Sequence, residues 1–326
     1  MQTNDFILPL ESTLTQKPGV ITVNRKSRLL LLLTFALAPV LCALILPRAT
    51  ARRVENPIAD TAAVLVGAGD IADCKDLSGA EATAKLLEKI PGTVMAVGDL
   101  AYPDGSKENF ECYDKTWGRV KNRTRPAPGN HEFHQKGATY YFQYFGSAAG
   151  DPSNGYYSYD LGSWHIIVLN SECAEVGGCE VGSRQEKWLR ADLGAHSVAC
   201  TLAYFHKPLF SSGGAHGDDL LIKPLWQALY DANADVIISG HDHDYERFAP
   251  QTPDGKSDMS RGIREFVVGT GGKNHRPFKE PKPNSEVRDA TAFGVLKLTL
   301  KSNGYDWQFI PEERKTFTDS GTGTCH

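Results

Sequence analysis

Apolar residues recur along the chain in short blocks, and most of the blocks end in a polar turn. Ala63-Val-Leu-Val-Gly67 and Thr93-Val-Met-Ala-Val97 have the length and β-branched character of buried strands. Trp164 to Leu169, Thr201 to Phe205, Val236 to Ile238 and Phe266 to Val268 repeat that character further on. Between them, residues 80–90, 185–193 and 220–232 carry apolar side chains at helical spacing, and Pro91-Gly92 ends the first of these helices. Val295 to Leu300 and Tyr305 to Ile310 flank Asn303-Gly304, a hairpin signal. Strands alternating with helices, then strands alone, predict an α/β domain on mixed sheets. No internal repeat appears.

One apolar block has a different character. Leu29 to Leu46 is 18 residues without a charge, preceded by Arg25, Lys26 and Arg28. A bilayer needs about 20 such residues, and Ala49-Thr50-Ala51 just beyond offers a small-residue cleavage site. Pro39 inside the block and basic residues at both ends argue against a core helix. The organisation expected is an N-terminal region at 1–28, a signal peptide or membrane anchor at 29–46, a linker at 47–62 and a catalytic domain with its C-terminal tail at 63–326. Basic residues balance across the apolar block, so they do not set its orientation.

Composition adds two points. The 23 % of charged residues and net charge of −4 give no basic footprint for nucleic acid. Of the seven cysteines, Cys42 lies in the apolar block, which leaves six beyond it. An even set beyond an export signal reads as disulfides in an oxidising compartment, so the domain is expected outside the cytoplasm, secreted or held at the membrane by Leu29 to Leu46. Six cysteines allow 15 connectivities. The expectation here is Cys173 with Cys179, close across Gly177-Gly178, Cys74 with Cys112, and Cys200 with Cys325.

The turns that end the strands carry the chemistry: Asp70, Asp99, His206 and His241 each follow an apolar run. Strand ends are where open α/β sheets gather ligands. Gly67-Ala-Gly-Asp70-Ile-Ala72 also fits a dinucleotide-binding turn, but that reading has no use for the histidine motifs downstream. The others are Gly98-Asp99-Leu-Ala-Tyr102, Gly129-Asn130-His131-Glu132, His206 before Lys207-Pro208, and Gly240-His241-Asp-His243. Zinc hydrolases of the β-lactamase type share His-x-His but want an aspartate where Tyr245 stands. Gly269-Thr-Gly-Gly272 lacks the Lys-Ser/Thr ending of a P-loop and reads as a turn. His134, His165, His196, His275 and His326 are assigned no site role.

In this order the motifs resemble the five blocks of the purple acid phosphatases, within the calcineurin-like metallophosphoesterases. The resemblance runs from Val64 to Pro250. It implies two mixed β-sheets flanked by helices, a four-layer sandwich. It also implies two metal ions: Asp70, Tyr102 and His243 on one, Asn130, His206 and His241 on the other, and Asp99 bridging. Ala72 and Ala203 depart from the usual glycine and valine, and neither supplies a ligand.

The residue types suit that assignment. A carboxylate has two oxygens and can bridge, and two metals can share a hydroxide and clamp a phosphoryl group. A phenol ionises only near pH 10, so Tyr102 as a ligand implies Fe(III), with divalent Fe, Zn or Mn opposite. Such a pair outweighs its anionic ligands and attracts a small phosphate ester into an otherwise anionic protein. His131 and His216 are expected beside the metals, His131 protonating the leaving alkoxide or holding the phosphate. The reading is a phosphomonoesterase. The alternatives are a phosphodiesterase of nucleotides or phospholipid head groups and, less favoured, a non-catalytic phosphate receptor.

Overall fold

The computed structural model describes residues 62–326. The readings made for residues 1–61, including the 29–46 segment, lie outside the described residues. Among the described residues no helix is long and apolar enough to cross a membrane.

In chain order the strands are β1 Ala63–Ala68, β2 Ala72–Asp73, β3 Thr93–Val97, β4 Ala101–Tyr102, β5 Thr124–Ala127, β6 Tyr157–Leu161, β7 Trp164–Val168 and β8 Cys200–Tyr204. They continue as β9 Val236–Ser239, β10 Tyr245–Phe248, β11 Arg264–Val268, β12 Ser285–Asp289, β13 Gly294–Lys301, β14 Gly304–Pro311 and β15 Ser320–Thr324. The α-helices are α1 Ser78–Lys89, α2 Lys107–Lys115, α3 Thr139–Phe145, α4 Arg184–Ala195 and α5 Lys223–Asp231. Local chemistry sets their ends. Ser183 caps α4 by accepting from Glu186 N, and Ser106 and Asn109 form a reciprocal capping box on α2.

Two mixed sheets result, ordered β15-β14-β13-β1-β3-β5 and β12-β10-β11-β9-β8-β7-β6. In the first, β1, β3 and β5 are parallel and β13 runs against β1. In the second, β7, β8, β9 and β11 are parallel. Side chains alternate across a strand, and the alternation sorts the core into layers. Leu65 and Val94 of the first sheet share one buried cluster with Ile166, Leu202 and Ile238 of the second. The intervening Ile167, Ala203 and Ile237 face the other way, under Leu189 of α4 and Leu225, Trp226 and Leu229 of α5. On the first sheet α1 buries Ala80, Ala84 and Leu87. Each large side chain so buried is worth about 1.5–3 kcal/mol. The expected sandwich of two sheets between helices is therefore what the alternation builds.

Three disulfides tie the frame: Cys74–Cys112, Cys173–Cys179 and Cys200–Cys325. All three expected pairs form. The third joins the start of β8 in one sheet to the residue after β15 in the other.

Candidate metal centre

The parallel strands β1, β3, β8 and β9 end on one side of the molecule, and each releases its chain into a sharp turn. Asp70, Asp99 and His241 all have positive φ, at 60°, 50° and 72°. Non-glycine residues avoid this left-handed region, and where they are held in it the backbone is aiming a side chain. Backbone bonds hold the turns in place: Asp70 N donates to Gly98 O at 3.0 Å and Gly240 N to His206 O at 2.8 Å.

Seven side chains expected from sequence lie at or just after these turns and the turn after β5, and six are linked by short contacts. Tyr102 Oη lies 2.7 Å from Asp70 Oδ1 and 3.3 Å from His243 Nε2, and His243 Nε2 lies 3.4 Å from Asp70 Oδ1. A second group forms where His241 Nδ1 approaches His206 Nε2 at 3.1 Å. Asp99 Oδ2 joins them, 3.1 Å from Tyr102 Oη on one side and 3.1 Å from His206 Nε2 on the other. The seventh, Asn130, keeps Oδ1 buried and without a hydrogen-bond partner.

Burial makes this set expensive as it stands. Asp70, Asp99, His206 and His243 are almost wholly enclosed, and enclosed charges need compensation. Burial alone would raise the Asp99 pKa, but His206 holds it well below the usual range. Burial opposes charge on His206 too, and Asp99 wins, lifting it to about 10. His241 is driven the other way, to about 2, by burial and by His206. Burial and the carboxylates Asp70 and Asp99 push the Tyr102 phenol well above 10. Two imidazole nitrogens 3.1 Å apart, an orphaned amide oxygen and a phenol among carboxylates all call for a cation. The oxygen and nitrogen donors suit a hard or borderline metal, so the residues present fit a pair of metal ions.

The other two expected residues flank the set. His131 donates its backbone N–H to Asp99 Oδ1 at 2.9 Å and carries Nε2 3.7 Å from Asp99 Oδ2. Its Nδ1 faces Pro103 O, which leaves Nε2 turned towards the site. His216 stacks on His241, ring centres 4.0 Å apart. Its pKa is lowered by burial, with Asp242 opposing and Arg276 assisting.

Three residues here carry no signal in the sequence. Glu132 is fully buried and accepts from Asp99 N, Leu100 N, Ala101 N and Gly129 N at 2.8–3.2 Å. One carboxylate thus clamps the Asp99 turn to the Asn130 turn. Burial and Asp99 push it up to about 8, against donors that favour the anion. Asp242, also buried, accepts from Ser211 Oγ, His216 N and Gly217 N and so holds the His216 loop. Arg276 lies against His243. Glu132 follows His131 directly, yet only folding reveals which N–H groups it reaches. The run 269–272, expected as a turn, is irregular chain that bends at Gly271-Gly272, and Gly271 N donates to Gly69 O at 2.8 Å, backing the Asp70 turn.

Known proteins resemble this chain in sequence and in fold. Purple acid phosphatase 18 of Arabidopsis thaliana is 29 % identical over 249 residues, covering 68 % of this chain and 54 % of its own length. Purple acid phosphatase 21 of the same plant is 28 % identical over 274 residues, covering 75 % and 60 %. The chain thus spans little more than half the length of these relatives. In fold it is similar to the purple acid phosphatase of yellow lupin (Lupinus luteus) seeds, with a TM-score of 0.69 at 19 % identity, over 81 % of this chain and 54 % of that one. The sequence profile of the calcineurin-like phosphoesterases matches residues 56–245, a span that holds all seven candidate ligands, and the chain belongs to that family.

Proposed function

We propose that this chain hydrolyses phosphomonoesters at a two-metal centre, with Asp70, Tyr102 and His243 holding one ion, Asn130, His206 and His241 the other, and Asp99 shared. The observation that carries the reading is the position of Asp99 Oδ2, equidistant at 3.1 Å from Tyr102 Oη and His206 Nε2. When bound, the two ions activate the attacking water and neutralise charge on the phosphoryl group. The phenolate of Tyr102 favours Fe(III) at its position, with divalent Fe, Zn or Mn at the other. The similarity to purple acid phosphatases supports the same choice.

The protein's own groups then do three things. His131 Nε2 stands beside Asp99 with its other nitrogen occupied by Pro103 O, placed to give a proton to the departing alkoxide, a step typically worth 10²–10⁴-fold. His216 faces the site from its stack on His241 and holds a phosphoryl oxygen. Glu132 and Asp242 keep the turns from relaxing. Three disulfides in one domain favour export of residues 63–326 as the catalytic domain, with 29–46 as signal or anchor. The test is turnover of an aryl phosphomonoester against its diester, with metal analysis of the purified protein. Monoester hydrolysis by protein carrying two metals per chain is expected; protein with both metals and no turnover would mark a binding protein and refute the proposal.

A further inference from the structure

A cavity of about 280 Å³ lies beside Asn130, between two walls from distant parts of the chain. The first wall is the single helical turn Glu132–His134, where Phe133 N donates to Asn130 O at 3.2 Å. Asn130 and Phe133 both line the cavity, and His131, the proposed proton donor, stands between them in the chain. An oxygen leaving the phosphoryl group on the His131 side has this cavity next to it, with room for what that oxygen carries.

The second wall follows β7. Glu172 and Glu175 belong to it, Glu175 N donates to Glu172 O at 2.9 Å, and the Cys173–Cys179 disulfide closes the loop that holds them. Lys207, the residue after His206, ties this wall to the candidate centre. Its backbone N donates to Ser171 Oγ at 3.0 Å and its Nζ to Glu172 Oε2 at 2.7 Å. Leu221, largely exposed, adds an apolar edge. The cavity is thus built from groups already fixed in place.

Its charges do not balance. Lys207 is held by Glu172 and has Asp219 at 4.0 Å as well. Glu175 is exposed and makes no ion pair within 4.0 Å among the described residues. Glu172 is only 8 % exposed, and its Oε1 is buried without a hydrogen-bond partner. Burial lifts the Glu172 pKa above the ordinary carboxylate value, with Lys207 opposing. A buried charged acceptor left unpaired is costly. An anionic group would be repelled here, and a purely apolar one would leave Oε1 as it stands. A compact ammonium brings both the missing charge and an N–H, while its carbon chain lies against Phe133 and Leu221. The volume is at the bottom of the range of about 300–1,000 Å³ typical of drug-sized ligands, which favours a small group.

We infer that this cavity is the leaving-group site and selects phosphomonoesters of small amino alcohols, whose ammonium group pairs with Glu172. This rests on the phosphomonoesterase reading. Water supplies the incoming oxygen, and the P–O bond to the amino alcohol breaks with its electron pair on the departing oxygen. That oxygen takes up a proton, and inorganic phosphate remains.

Phosphoethanolamine and propyl phosphate differ by an ammonium against a methyl at the same place, so the ratio of their kcat/KM values cancels what the two share. Metal-loaded wild type is expected to favour phosphoethanolamine roughly 10- to 100-fold, as for a hydrogen bond between charged groups, and mainly through KM. Glu172→Gln brings the ratio to within about 3-fold of one. Lys207→Met removes the competing cation and raises it. If Glu172 only braced Lys207, both variants would slow the two esters alike and leave the ratio where it was, which overturns the inference. A wild type that does not discriminate overturns it too. Failure of the phosphomonoesterase reading is a separate result, in which wild type turns over neither ester. Calorimetric binding of 3-aminopropylphosphonate against butylphosphonate, neither of which hydrolyses, still reads the preference then. Equal affinities in wild type, or a preference that survives Glu172→Gln, overturn the inference.

Discussion

Among the described residues are two clusters of histidine and aspartate, one at the strand ends around Asp99 and one between β7 and α4 around His165, and they are built on opposite terms. At His165 each nitrogen has its own carboxylate: Nδ1 meets Asp160 at 2.9 Å and Nε2 meets Asp192 at 2.8 Å. Asp192 also receives Ser158 Oγ. His196 lies flat on His165, ring centres 4.0 Å apart and planes within 14°. The lone pair of an imidazole nitrogen lies in the ring plane, so two stacked rings cannot both aim at one ion. This cluster is closed and structural. At Asp99 the donors converge, the His206 and His241 nitrogens face each other, and the Asn130 oxygen has nothing. A satisfied cluster stabilises a fold, whereas an unsatisfied one, held by strained turns, is shaped for something yet to bind.

Substitution should separate the two. Asp99→Ala or His241→Ala is expected to lower phosphomonoester turnover by roughly three orders of magnitude or more, since metal charge is worth several kcal/mol to the transition state. A folded variant keeping a tenth of the wild-type rate would contradict the ligand assignment. Glu132→Gln keeps the volume but sets an amide N–H against backbone donors. A loss of about 10- to 100-fold in activity or metal affinity is expected, as for other groups that orient ligands. Metal content by elemental analysis alongside kinetics will show which.

His165→Ala should do the reverse, costing about 2–3 kcal/mol of stability and leaving turnover per folded molecule unchanged. Its effect depends on pH with a definite sign. Burial lowers the His165 pKa, but Asp192 and Asp160 outweigh burial and the net shift is upward. The stabilisation is therefore complete below the unfolded value of about 6.5 and fades as pH rises through the higher folded value. Thermal melts of wild type and variant should converge over that range. A gap that widens with pH would show His165 to be neutral in the fold. Among the candidate ligands the smallest effect on rate is expected for Tyr102→Phe, where the other ligands remain. Iron-loaded wild type should be coloured by phenolate charge transfer and the variant colourless. A colourless, iron-free wild type fully active on zinc or manganese would remove Fe(III) and leave the rest.

The closed cluster was invisible in the sequence, and the open one was not. Asp70, Asp99, His206 and His241 could be read because each ends an apolar run, and a strand end is a place as well as a pattern. The partners of His165 come from a strand and a helix that only the β7 and α4 packing brings together. Glu132 and Asp242 stayed hidden because they act on backbone N–H groups, which have no letter in a sequence. Among the strands, β5 was obscured by Pro126, tolerated because β5 is an edge. β15 was obscured by its glycines. The rings of Trp307 and Tyr305 lie across Gly321 and Gly323, where an added Cβ would meet them at 2.2 and 2.4 Å. A strand that serves as a floor for aromatic rings need not look apolar itself.

The position of β1 has a consequence for how the protein is made. β1 lies between β3 and β13, pairing Ala63 with Leu300 and Leu65 with Thr93. The Asp70 turn leans on residues as late as Val268 and Lys273. A ribosome delivers these pieces in sequence, about 5–20 residues each second, so the earliest ligand waits many seconds for the chain that braces it. Until His243 and the chain that braces Asp70 emerge, the candidate ligand set is incomplete. Metal acquisition thus belongs to the finished chain, and the compartment in which synthesis and folding end, rather than the one in which they begin, decides which ions the protein carries.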